Sequence, residues 1–212
     1  MASPVTSTDA PPLSLSGDYL DRLMRRESFS ALWPLFAKAT KPAKEMTESF
    51  SALEHLRPLM KRVAACRVLH VGDGAHARSA ALFSLKTTAH NISIDPLINE
   101  PLVSAWRDEF NIQRFEWRKG RLEAHAAELN DLQELPVFVT FVHAHVHVDL
   151  ELSRLRWDAA FTLACCHPTR QLTQKFTPYQ SGTDLNVLSV GRDFQLLINP
   201  QSARARLLMG VR

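Results

Sequence analysis

Apolar positions along this chain repeat with two different periods. Between residue 17 and about residue 63 they fall at helical spacing: Tyr19, Leu20 and Leu23, then Phe29, Leu32, Trp33 and Phe36, then Phe50, Leu53, Leu56, Leu59 and Met60. This predicts a helical extension of two or three helices over 17–63, interrupted near Pro34 and Pro42. From residue 64 onward short apolar runs alternate with helix-period segments. Residues 66–71 predict a strand, Gly72-Asp73-Gly74 a turn and 75–86 a helix. A second strand over 91–94 ends at Asp95-Pro96 and precedes a helix over 100–110. A third strand over 113–117, a turn at Gly120 and a helix over 121–132 repeat the unit. Residues 137–148, rich in β-branched and aromatic side chains, predict a central strand. A helical link over 150–155 and another strand over 157–165 follow it. Residues 186–190 and 194–198 flank Gly191-Arg192-Asp193, the pattern of a hairpin.

Strands alternating with helices imply an α/β domain over 64–212, with a mostly parallel sheet closed by a C-terminal antiparallel hairpin. Residues 1–16 are rich in Ser, Thr, Pro and Ala without apolar period, and predict a flexible tail. With 45% hydrophobic and 22% charged residues, the 212-residue chain has enough apolar surface for one substantial core. The net charge is only +3, but 18 Arg stand against 7 Lys, a bias that permits an anionic partner such as RNA. Three cysteines, Cys66, Cys165 and Cys166, lie in apolar surroundings, which is not the framework of a disulfide-stapled secreted domain. No apolar run has the length of a membrane span, and the first twenty residues lack the order of a signal peptide. The expectation is a soluble cytoplasmic protein.

In an open α/β sheet a ligand sits beyond the carboxyl ends of the strands, where strand order reverses. Gly72 and Gly74 occupy the first such turn, where a missing Cβ lets a ligand approach the backbone. The same two glycines also fit a tight turn that binds nothing. Asp95 follows the second strand, about twenty residues on, where an acid accepts the hydroxyls of a ribose; an Asp-Pro turn or helix cap is the other reading. Gly120-Arg121-Leu122-Glu123 follows the third strand, placed to flank an adenine ring.

The segments Val68-Leu69-His70-Val71-Gly72-Asp73-Gly74 and Ile92-Ser93-Ile94-Asp95 resemble motifs I and II of class I S-adenosylmethionine-dependent methyltransferases. The resemblance spans about residues 66–199 and implies a Rossmann-like methyltransferase fold with S-adenosylmethionine as cofactor. It places Gly72 and Gly74 at the methionine part and Asp95 at the ribose; Asp73, within the turn, and Gly120 and Arg121, after the third strand, join them as cofactor-binding candidates. Two positions depart from it: His70 replaces the usual acid of motif I, and His76 stands where a third glycine is expected, so that a bulky ring would enter the methionine region. Val142-His143-Ala144-His145 and Ala164-Cys165-Cys166-His167 are similar to the His-Ala-Cys-Gly and Pro-Cys-Cys-His pairs of a branch that includes eukaryotic tRNA ribose methylases. His145, Val146 and Ala164 differ from that branch.

His143, His145 and His147 alternate, so on a strand they would share one face, with Cys165, Cys166 and His167 ending the next run. Imidazole and thiolate groups suit Zn²⁺, but alternate strand residues lie far apart and no Cys-x-x-Cys pair is present, so no metal is assigned. His143 is the candidate catalytic group, a neutral imidazole positioned to take a proton from the methyl acceptor. Each histidine also fits a side chain bonded to backbone, and Cys166 reads as buried and inert. Trp106, Trp157 and Phe161 fit either a base-stacking platform or the core. Three functions stay open: a methyltransferase acting on oxygen or nitrogen, with RNA as a candidate acceptor; a noncatalytic methyltransferase-like module binding RNA or protein; and a metal protein.

Overall fold

Five short runs form parallel strands: the first, second, fourth and fifth are almost wholly buried and so need cover above and below, whereas the third, at the sheet's edge, is only partly buried. They are β1 (Arg67–Val71), β2 (His90–Asp95), β3 (Phe115–Lys119), β4 (Val137–Val142) and β5 (Ala159–Leu163). In the computed structural model, which describes residues 18–26, 28–132, 134–164 and 167–211, these strands join β6 (Gln180–Thr183) and β7 (Asp193–Ile198). The order is β3-β2-β1-β4-β5-β7-β6, with β7 antiparallel to both β5 and β6. This is the α/β architecture expected, a mostly parallel sheet ending in an antiparallel pair. The tail predicted over 1–16 lies outside the described residues.

Helices α1 (Asp18–Met24), α2 (Ser28–Phe36), α3 (Pro42–Met60) and α4 (Arg78–Lys86) share one core with one face of the sheet, joined by α5 (Glu100–Glu109). Helices α6 (Leu122–Asp131) and α7 (Val148–Arg154) contribute to the core on the other face. Two short helices, α8 (Pro168–Gln171) and α9 (Ala205–Met209), complete the order. Pro42 opens α3, where its missing N–H costs nothing. Pro34, expected to interrupt the chain, lies inside α2 near its C-terminal end. Trp106, Trp157 and Phe161 are all core: Trp106 Nε1 donates to the Ala31 carbonyl at 2.6 Å, and Phe161 stacks on His55 and Phe194. Cys66 is also buried, and burial pushes its thiol up to about 12.

Two expectations are corrected. The strand predicted to run to residue 148 ends at Val142, because His143 takes a left-handed backbone (φ 56°) and turns the chain over the sheet's edge. His143, His145 and His147 therefore lie on a loop, not on one strand face. The hairpin pairs β7 with 180–183, not with 186–190. Gln180–Thr183 is exposed on both faces, so it leaves no apolar signal. The more apolar stretch after it docks on the helices: Asp184 and Val187 are buried, and Leu188 N donates to Thr47 Oγ1 at 3.0 Å.

Asp184 anchors that docking. Its Oδ2 accepts from Tyr19 (2.8 Å) and Ser51 (2.6 Å), and His55 Nε2 stands 3.3 Å away. Burial alone would raise the carboxyl, but the bonds from His55, Ser51 and Tyr19 outweigh it and hold the group at about 2, below its ordinary 3.8. The same burial and carboxylate push the Tyr19 phenol up. A depressed folded-state value means that the stabilisation is complete above about pH 4 and is lost as pH falls toward about 2, roughly 2 kcal/mol in all. Asp184→Asn should therefore lower stability at about pH 6 by about that amount and flatten the acid side of the melting profile. Equal pH slopes in both proteins between about pH 5 and about pH 2.5 would contradict this assignment.

A second constraint joins the loops after β1 and β4. Gly72 has φ 72°, and a Cβ there would lie 2.7 Å from Ala144 Cβ, whereas a Cβ on Gly74 (φ 74°) would meet nothing within 4 Å. Both positions disfavour a side chain by conformation, but only Gly72 adds a collision. Gly72→Ala should cost about 2–4 kcal/mol in denaturant unfolding and Gly74→Ala about 1 kcal/mol. Equal costs would place the strain elsewhere.

Candidate functional site

The sheet reverses direction of growth between β1 and β4, and the loops beyond their carboxyl ends enclose a cavity of about 600 Å³. Gly72, Gly74, Asp95, Gly120, Arg121 and His143 all line it. Six of the seven predicted site residues are thus brought together from four loops. Leu97, Leu150 and His147 add to its wall, and Leu97 and Leu150 are exposed apolar residues at its mouth.

Asp95 ends β2 and binds three chain segments at once. Its Oδ2 accepts from Gly74 N at 3.0 Å and its Oδ1 from Leu97 N at 2.7 Å, while its backbone carbonyl accepts from Gly120 N at 3.2 Å. The carboxylate makes the Asp-Pro turn and also stands in the cavity wall, so both sequence readings describe the same group. Each oxygen has two lone-pair directions and the backbone takes one, which leaves acceptor capacity for a ligand hydroxyl. Gly74, with no atom where its Cβ would be, opens the loop toward the cavity. Arg121 is the extended residue ahead of α6 and is exposed at the rim. These features fit a nucleoside carrying vicinal hydroxyls: a carboxylate at the strand end, a bare glycine beside it, and apolar side chains facing the same space.

Asp73, the seventh predicted residue, turns to the far side of the loop. Its Oδ1 accepts from Ser79 N (2.8 Å), and its Oδ2 from Ala80 N (3.0 Å) and Ser93 Oγ (3.1 Å). It caps α4, whose preceding residue Ala77 is left-handed and offers no side-chain cap. Burial pushes the Asp73 carboxyl up to about 6, against the opposing pull of those bonds.

The two departures from motif I have separate outcomes. His70 is a core residue: its Nδ1 lies 2.9 Å from Thr140 Oγ1 and its Nε2 3.2 Å from Asn91 Oδ1. Asn91 Nδ2 donates to the Ala89 carbonyl, which makes Oδ1 the acceptor and places the His70 proton on Nε2. Burial pushes this imidazole down to about 3, so it is neutral across the physiological range. His76 is absent from the cavity wall and instead pairs its Nδ1 with Arg78 Nη2 at 3.0 Å. Its ring does not enter the space expected for the methionine part.

His143 sits where β4 gives way to the loop. The Lys44 ammonium, from α3, donates to its Nδ1 at 3.2 Å, and Glu48 Oε2 is 3.7 Å from the same nitrogen. The His143 and His145 rings are 5.4 Å apart, and His145 and His167 6.3 Å. Among the described residues no group of three His, Cys, Asp or Glu side chains is arranged to hold a metal; Cys165 and Cys166 lie outside them. Nor is any described helix long and apolar enough to cross a membrane.

Lys44, Glu45 and Glu48 were missed by the sequence reading, which placed the site entirely beyond residue 64. Glu45 and Glu48 form, with Ser49 and Arg78, a second and smaller chamber of about 120 Å³ on the opposite side of the Gly72–Gly74 loop, and His143 lines both spaces. One signal was present: Thr47, Glu48, Ser49 and Ser51 interrupt an apolar helix, and all four are buried.

No family model matches the sequence, and a search of curated proteins finds no match. Solved structures do share the fold. A mutant of MtNAS, a nicotianamine synthase, in complex with S-adenosylmethionine superposes with a TM-score of 0.52 at 11% identity, over 87% of this chain and 76% of that one. Monomeric WbdD gives 0.53 at 22% identity over 71% of this chain, and a 2.2 Å WbdD structure 0.50 at 21% over 70%. WbdD is a bifunctional kinase-methyltransferase, and this chain spans about 40% of its length. The fold of this chain is that of S-adenosylmethionine-dependent methyltransferases.

Proposed function

We propose that this chain binds S-adenosylmethionine in the larger cavity and transfers its methyl group to a nucleophilic acceptor. The observation that carries the reading is the convergence on one cavity of Gly74, Asp95, Gly120 and Arg121, in the order and on the strands that a nucleoside cofactor requires. The cofactor supplies an electrophilic methyl group on a sulfonium.

The protein's own groups do the rest. Asp95 accepts the ribose hydroxyls with the lone pairs that Gly74 and Leu97 leave unused. Gly120 and the extended Arg121 backbone border the adenine, with Leu97 and Leu150 excluding water from its faces. His143 is the only one of the three loop histidines that also borders the smaller chamber. It takes the acceptor's proton on Nδ1 as Lys44 shifts toward Glu48, whose carboxylate then faces the imidazolium. Much of the acceleration in such a reaction comes from alignment of the reacting atoms, so His143 contributes a part only.

Isothermal titration with S-adenosylmethionine tests the proposal. Wild type should bind, Asp95→Ala should weaken binding at least about tenfold, and Asp95→Asn, which keeps one acceptor oxygen, should fall between them. His143→Ala should leave affinity within about threefold while slowing transfer to an identified acceptor on the order of 100-fold. Absence of wild-type binding at millimolar cofactor would overturn the reading and favour a noncatalytic module with this fold.

A further inference from the structure

The smaller chamber contains a buried carboxylate with nothing hydrogen-bonded to it. Glu48 is 1% exposed, and neither carboxylate oxygen has a hydrogen-bond partner among the described residues. Lys44 Nζ stands 3.3 Å from Oε1 and His143 Nδ1 3.7 Å from Oε2, close enough to compensate charge but not aligned as hydrogen bonds. A carboxylate so withdrawn from water loses several kcal/mol of solvation unless donors replace it. The chamber wall holds room for a group of several non-hydrogen atoms beside it.

The chemistry of that wall selects the sign of the missing partner. Glu45, Glu48 and Asp73 face the chamber against Arg78, with Lys44 behind Glu48, so that, with the His143 imidazole neutral, the carboxylates exceed the cations by one. Arg78 is already committed to Glu45, to the Leu35 carbonyl and to His76. The amides of Ser79 and Ala80 at the start of α4, which would otherwise attract an anion, are occupied by Asp73. What remains is an acceptor-rich cup short of donors, suited to a compact cation with several N–H groups.

We infer that this chamber seats a primary ammonium group of a ligand, held on the Glu48 carboxylate across the Gly72–Gly74 loop from the larger cavity. The inference deepens the proposed function and rests on it, because two ligands of that reaction can present such a group: the amino-acid end of the cofactor, or a small amine acting as methyl acceptor. Lys44 competes with the ligand for Glu48, so the two side chains have opposite effects on binding.

The test is titration of wild type, Glu48→Gln and Lys44→Gln with S-adenosylhomocysteine, which carries the ammonium, and with 5′-methylthioadenosine, which does not. Ethylammonium is then titrated into protein saturated with 5′-methylthioadenosine, with ethanol as the neutral control. If the ammonium is the cofactor's, Glu48→Gln weakens S-adenosylhomocysteine at least about tenfold and leaves 5′-methylthioadenosine unchanged, while Lys44→Gln tightens the former. If it belongs to an acceptor, both nucleosides bind the variants equally and only the preference for ethylammonium over ethanol depends on Glu48. Unchanged binding of S-adenosylhomocysteine and of ethylammonium in a folded Glu48→Gln protein, or parallel losses for both nucleosides, overturns the inference. Glu48-dependent ethylammonium binding by a protein that takes neither nucleoside would uphold the ammonium site and reject the cofactor.

Discussion

The carboxyl-terminal residue of β2 holds the site together. Asp95 uses its carboxylate to fix the Gly72–Gly74 loop and its own Pro96-Leu97 turn, and its carbonyl to fix the turn at Gly120. Three loops that flank different strands thereby take one arrangement, and the cavity exists because they do. Burial to 8% exposure strengthens these bonds, since little water competes for the carboxylate. A residue that organises the loops and also faces the cavity leaves few alternatives at its position: an apolar side chain there would lose wall and ligand contact together.

The rest of the fold supplies this centre with rigid surroundings. Gly72 lets the first loop pack directly on Ala144, and Gln171 Nε2 fixes the Ala144 carbonyl at 2.7 Å from the other side. The β4 loop is therefore clamped between two elements, which explains how His143 is kept in a left-handed conformation that costs a non-glycine residue about 1–2 kcal/mol. On the other face of the loop, α3 closes the site with Glu45, Glu48 and Ser49. Its packing depends in turn on Asp184, which ties α1 and α3 to the segment leading into β7.

Most of the fold was legible in the sequence because β1, β2, β4 and β5 are almost wholly buried and so stand out as short runs between helical segments. Gly72, Gly74 and Asp95 were legible because a strand end, a bare turn and an acid recur at fixed spacing. What escaped follows from physics that a one-dimensional pattern does not carry. β6 is exposed on both faces, so Gln180–Thr183 has no apolar signature, while the segment after it looked like a strand only because it docks on helices. The alternating histidines mimicked strand period, but the positive φ at His143 breaks the strand as they begin. Asp73 sits within the glycine turn yet serves α4, a distinction made by two backbone bonds. Glu48 lies in a helix assigned from its apolar stripe, and its importance arises only when that helix is folded over a loop distant in sequence.

The central claim is that the loops gathered by Asp95 form a nucleoside-cofactor site. Amide chemical-shift mapping of isotope-labelled protein during titration with S-adenosylhomocysteine tests it most directly. The account predicts saturable shifts at Gly74, Leu97, Gly120 and Arg121, and none at Asp158, Asn199 and Arg204, which line a separate cavity beyond the opposite ends of β4 and β5. Shifts confined to that second group, or no shifts at millimolar ligand, would contradict it.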